Sequence, residues 1–137
     1  IFGGGNDANV SDFANKLGDA TDTGTSTICG AINQTINNYM TAYPSTPIGI
    51  ISPAPWIDNG FRTTNQGNRL AQFCDKLEQI AKIQGIPYLD LYHTSGLRPE
   101  NEADRTITYY TDGKHPNDLG QEVISTKICQ FILTFAL

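Results

Sequence analysis

Three short apolar runs, each closed by turn-forming residues and separated by stretches of helical periodicity, most constrain the fold of this chain. Ile1-Phe2 runs into Gly3-Gly4-Gly5-Asn6-Asp7; Ile48, Ile50 and Ile51 lie between Pro47 and Ser52, ahead of Pro53 and Pro55; Ile86 to Tyr92 follows Gly85. Each reads as a buried strand, the first as the last residues of one. Between Ser26 and Tyr43, Ile28, Cys29, Ile32, Ile36 and Met40 recur at helical spacing, and Pro44 ends the run. A second helix is expected from Asn65 to Gln84 on Leu70, Phe73, Cys74, Leu77, Ile80, Ala81 and Ile83. A third starts at Asn117 or Asp118, where Asp118 and Gln121 have capping-box spacing, and buries Val123, Ile124, Ile128, Phe131, Ile132 and Phe135.

Strands alternating with helices imply an α/β domain with a parallel sheet and right-handed crossovers. In such sheets the chemistry sits beyond the C-terminal strand ends, here Asn6-Asp7, Ser52 to Pro55 and Tyr92-His93. Ala8 to Thr25 reads mainly as loop, with Val10, Phe13 and Leu17 enough for a helical turn or two. The long polar connection from His93 to Thr111 has the length of an active-site loop.

A chain of 137 residues supports one domain, so one function is sought. Nine Lys and Arg stand against 14 Asp and Glu, a formal charge of -5, with no basic stripe, which disfavours nucleic acid and anionic membranes as partners. No apolar run approaches the ~20 residues of a membrane span. Cys29, Cys74 and Cys129 form no paired spacing and read as small apolar core residues.

Asp112-Gly113-Lys114-His115-Pro116-Asn117 places an Asp three residues before a His in a short turn at a helix start. A carboxylate beside an imidazole fixes its tautomer and stabilises the imidazolium, as a general base requires. Gly4-Gly5-Asn6-Asp7 closes a strand, where the Asn amide is placed to donate to an oxyanion and glycine lets substrate approach the backbone. Taken singly, both strings are ordinary turn formers. Asp7, Asp112 and His115, even joined by Asp90 or His93, lack the paired-His spacing of a metal site, so neither metal nor cofactor is expected.

Together, Gly4-Gly5-Asn6-Asp7 resembles the GxND block of the SGNH (GDSL-type) hydrolase family, and Asp112 to His115 resembles its DxxH block, continued by Pro116-Asn117 and Gly120. The separation of the blocks, with two βα units between them, suits that family. The resemblance implies a three-layer, flavodoxin-like fold and ester hydrolysis through a serine acyl-enzyme. It makes His115 the general base, Asp112 its orienting carboxylate and Asn6 an oxyanion-hole donor, with Asp7 bracing the turn.

The family's opening GDS block, with the nucleophilic Ser, and its following Gly block have no counterpart in these residues. Gly18-Asp19-Ala20 only mimics the former, with Ala where Ser is needed, and Ser52 and Ser95 are weak substitutes. The expectation is therefore a single domain over 1–137, incomplete at its N-terminus. Its first strands and nucleophile would come from an upstream segment, Ile1-Phe2 would form an exposed edge, and the chain alone would be inactive. The expected substrate is an acetyl or short acyl ester, with Gly5 lining the site. Trp56, near Phe61 and Arg62, offers an indole for a sugar ring, which points to carbohydrate esters. The rival is a catalytically degenerate module that binds carbohydrate or scaffolds an assembly. Small polar loops and an acidic balance accord with an extracellular or phage-associated deacetylase without fixing the compartment.

Overall fold

The computed structural model describes residues 1–57 and 65–135, and of residues 65–68 the backbone alone. Ile50–Ile51 (β1) pairs in parallel with Tyr88–Leu89 (β2), in the register Ile50 to Tyr88 and Ile51 to Leu89. Phe2 forms a parallel bridge to the opposite edge of Ile51. The Ile51 N–H donates to the Ile1 carbonyl at 2.8 Å, and the Ile1 amino group donates to the Gly49 carbonyl at 2.7 Å. β1 is thus central, with Phe2 and β2 on either side.

The helices are α1 (Phe13–Leu17), α2 (Ile28–Ala42), α3 (Asn65–Gln84), α4 (Leu91–Thr94) and α5 (Asp118–Leu133). A 3-10 turn covers Asp7–Asn9 and a π-helical turn Asp104–Thr108. Thr27 caps α2 by accepting from the Gly30 N–H at 3.1 Å, and Asn117 caps α5 by accepting from the Gly120 N–H at 3.0 Å. Each cap satisfies a donor that the helix leaves unpaired.

The pleat sends Ile50 and Ile51 into different layers. Ile50 packs in one core with Phe13 of α1, Cys29 and Ile36 of α2, and Leu70, Phe73 and Leu77 of α3. Ile51 packs in a second with Leu91, Leu97, Tyr110 and Ile124, backed by Val123, Ile128 and Phe131 of α5. Helices therefore cover both faces, giving the expected three-layer α/β arrangement. A ladder hydrogen bond contributes a net ~0.5–1.5 kcal/mol, whereas a fully buried Ile, Leu or Phe contributes about 1.5–3 kcal/mol. Packing, more than the ladder, holds so short a sheet.

Several expectations are corrected. The strand expected over Pro47 to Ser52 narrows to Ile50–Ile51. That over Ile86 to Tyr92 narrows to Tyr88–Leu89, because Asp90 caps a new helical turn that takes up Leu91 and Tyr92. Within Ala8 to Thr25, by contrast, the helical turn expected on Phe13 and Leu17 is present as α1, with both side chains buried. Cys129 is exposed, unlike Cys29 and Cys74, and Met40, Ile83 and Ile132 lie on solvent-facing sides of their helices. Ile1 and Phe2 are 47% and 53% exposed and form an apolar edge.

Candidate active site

The turn before α5 is built around Gly113, whose φ of 77° is left-handed. A Cβ there would lie 2.7 Å from Arg105 Cγ, so glycine answers both a backbone and a packing requirement. The Gly113 carbonyl accepts from the Ile57 N–H at 2.9 Å, and Tyr110 pairs with Pro116 in an antiparallel bridge. The buried Tyr110 hydroxyl donates to the Pro55 carbonyl. The turn is thereby fastened to the segment that follows β1.

Asp112 binds the turn with both carboxylate oxygens. Oδ1 accepts from the backbone N–H of His115 at 2.7 Å and of Lys114 at 2.8 Å, and Oδ2 lies 2.7 Å from His115 Nδ1. These contacts, led by the His115 backbone N–H, then the His115 ring and the Lys114 N–H, hold the Asp112 carboxyl far below the usual carboxylate range. An ionised Asp112 only accepts, so Nδ1 carries the proton and Nε2 is the basic nitrogen of the neutral ring. The His115 side chain is 75% exposed and that of Asp112 50%, leaving the pair open to solvent.

The opposing turn depends on Gly4, with a φ of 92° and no room for a Cβ, which would meet Phe73 Cζ at 2.2 Å. Its carbonyl accepts from the Asp7 N–H at 3.0 Å, so the backbone of Asp7 closes the turn. Asn6 is exposed and starts the 3-10 turn without using its side chain as a cap, which leaves its amide available. The two turns meet at a cavity of about 260 Å³ whose walls include Gly5, Trp56, Lys114 and Pro116. Asn6 and His115 are the chain neighbours of these lining residues.

Trp56 packs against the larger core and receives the Lys114 ammonium over its ring, 4.7 Å from the centroid. One indole face is therefore occupied by a cation where a sugar was expected to stack. Phe61 and Arg62, expected beside it, lie outside the described residues.

Neither substitute serine presents a nucleophile. Ser52 is fully buried, its Oγ accepting from the Tyr92 N–H at 3.1 Å and donating to the Pro53 carbonyl at 3.3 Å. Ser95 is buried and accepts from the Leu97 N–H at 3.3 Å. Among the described residues no serine is bonded to His115. Gly18-Asp19-Ala20 is a structural turn in which the Asp19 N–H donates to Asp22 Oδ2 at 3.0 Å and Ala20 is buried.

Asp90 and His93, weighed in the sequence only as additions to a metal site or as cap and loop contacts, form a second pair of the same form. His93 donates its N–H to Asp90 Oδ1 at 2.9 Å and sets Nδ1 2.8 Å from Oδ2. The repeated D-x-x-H spacing was its signal. The cation over Trp56 had none. No group of three or more metal-ligating side chains forms among the described residues.

A model of the GDSL-like lipase/acylhydrolase family matches residues 1–123. The chain belongs to this family. A crystal structure of a Lactobacillus plantarum protein is similar over 98% of this GDSL-like chain and 65% of its own length, with 26% identity and a TM-score of 0.79. A second crystal structure, 22% identical, has a TM-score of 0.80 over 98% and 63% of the two chains. The crystal structure of a "possible lipase" from Chitinophaga pinensis is 19% identical, with a TM-score of 0.63 over 86% and 66%. This GDSL-like chain spans less than two thirds of the first two structures' length. A comparison with curated proteins found no match.

Proposed function

We propose that this GDSL-like domain hydrolyses esters through a serine supplied from outside residues 1–137, with His115 as general base and Asp112 as its orienting carboxylate. The observation that carries the reading is the three-donor clamp on Asp112, which fixes Nδ1 as the protonated nitrogen of His115. The serine oxygen bonds to the ester carbonyl carbon while its proton passes to His115 Nε2, and Asp112 stabilises the imidazolium. The carbonyl oxygen becomes an oxyanion that accepts from the Asn6 amide. Collapse breaks the bond to the alcohol oxygen, which takes the proton from His115. Water then repeats the sequence on the acyl-enzyme and releases the acid.

An upstream segment of the same domain is the proposed source of the serine. Support comes from the exposed Ile1 and Phe2 edge and from a groove of about 490 Å³ beside it, lined by Ile28, Ile32, Ile50, Phe73 and Leu77. Residues 1–137 alone are then inactive. The cavity of about 260 Å³ beside His115 favours acetyl or short acyl groups, and carbohydrate is the proposed alcohol. In protein containing the upstream segment, His115→Ala should abolish hydrolysis of a small acetyl ester. Undiminished turnover in that variant would overturn the reading.

The burial of Ser52 and Ser95 favours a second reading, a degenerate module that binds carbohydrate or scaffolds an assembly. It predicts no turnover even with the upstream segment present.

A further inference from the structure

We propose that the cavity between Trp56 and Lys114 is a charge-selective site for a short aliphatic carboxylate. Its walls are apolar at Phe2, Ala54, Trp56, Pro116 and Ile124. Among the described residues Lys114 is the only charged one in its lining, and no described Asp or Glu faces it. The Lys114 ammonium has three donors, and among the described residues none meets a hydrogen-bond acceptor or a carboxylate; it lies over the Trp56 ring face. Lys76 and Lys82, by contrast, are each paired with a carboxylate.

Asp112, the nearest carboxylate along the sequence, does not serve as the counter-ion. It takes the Lys114 backbone N–H, and its oxygens are committed to His115 as well. An ammonium held against an indole with no carboxylate partner among the described residues, in a chain with a formal charge of -5, is open to an anion from outside. Apolar walls behind a single cation select a hydrocarbon chain ending in a negative group. The volume of about 260 Å³ accommodates a short chain.

Lys114 adjoins His115, so the group held there lies beside the reacting carbonyl. A neutral ester makes no ion pair with Lys114, whereas the acid released from it does. The site therefore retains the product acid. That role rests on the hydrolase reading above; the binding of the carboxylate does not.

Trp56 is the single tryptophan of the chain, so its emission reports on this cavity. The experiment is a fluorescence titration of the full chain with butyrate and, separately, with butyramide, its uncharged counterpart. Butyrate is expected to bind about tenfold or more tightly than the amide, the scale of one charge-assisted contact. In Lys114→Met the preference should vanish while amide binding is retained, and Lys114→Arg should restore it. Equal affinities in the unmodified protein, a preference that survives Lys114→Met, or no saturable change with either compound would each overturn the proposal. None of these readouts requires turnover, so failure of the site and failure of the hydrolase reading are distinguishable.

Discussion

Asp112 holds His115 through both of its oxygens, one on the backbone N–H and one on ring Nδ1, each at 2.7 Å. The same carboxylate thus shapes the turn and sets the tautomer of the ring. These two roles separate under mutation, because an Asn can still accept a backbone N–H but carries no charge.

Asp112→Asn should lower kcat for a small acetyl ester by about 10³- to 10⁴-fold, the scale observed when the orienting carboxylate of a triad becomes an amide. The measurement is steady-state hydrolysis by protein containing the proposed nucleophile segment. A loss below tenfold would mean that Asp112 shapes the turn and does nothing for the base.

The depressed Asp112 carboxyl also predicts an acid-dependent stability. A group whose folded value lies below its unfolded value, about 4 for Asp, stabilises the fold fully above that value and progressively less as pH falls below it. Thermal melting of wild type and Asp112→Asn should show a wild-type advantage at pH 7 that shrinks by pH 3. An advantage that grows toward acid would contradict the assignment. Both groups are substantially exposed, so salt should also reduce it.

Gly4→Ala should destabilise the domain by about 2–4 kcal/mol, combining a left-handed backbone with overpacking. Its Cβ would fall 2.2 Å from Phe73 Cζ in the larger core. Urea denaturation measures the change. A shift under 0.5 kcal/mol would show that the ring moves aside freely.

Ser52→Ala should cost about 1–3 kcal/mol, since the buried Tyr92 N–H loses its acceptor. Fluorophosphonate labelling should be unchanged, because the Ser52 hydroxyl is consumed inside the fold. Loss of labelling in a variant that still melts cooperatively would restore Ser52 as a nucleophile.

Thiol alkylation should distinguish the three cysteines. Cys129 is exposed, whereas burial pushes the Cys29 thiol up to about 11 and raises that of Cys74 as well. Iodoacetamide should add one group to the native protein, at Cys129, and reach the others only on unfolding. Native modification of Cys74 would contradict the packing around α3.

The layered fold was legible because Ile50 and Ile51, Leu70 to Ile80 and Ile124 carry their periodicities in the sequence itself. Leu91 and Tyr92 misled, since their apolar character continues the strand while Asp90 caps a helical turn that overrides it. Ser52 was legible as a strand-end residue, yet nothing local indicated that its oxygen would serve the Tyr92 N–H. The Asp112 and His115 pair was legible because both partners lie within one turn. The meeting of Lys114 with Trp56 depends on the Tyr110 and Gly113 contacts that bring distant segments together, and no local pattern encodes them.

The most direct test of the central claim is fluorophosphonate labelling of protein that includes the upstream segment, read by intact and peptide mass spectrometry. The account predicts one adduct on a serine outside Ile1 to Leu137, lost in His115→Ala. An adduct on Ser52, Ser95 or another serine within 1–137, or no adduct together with no ester turnover, would contradict it.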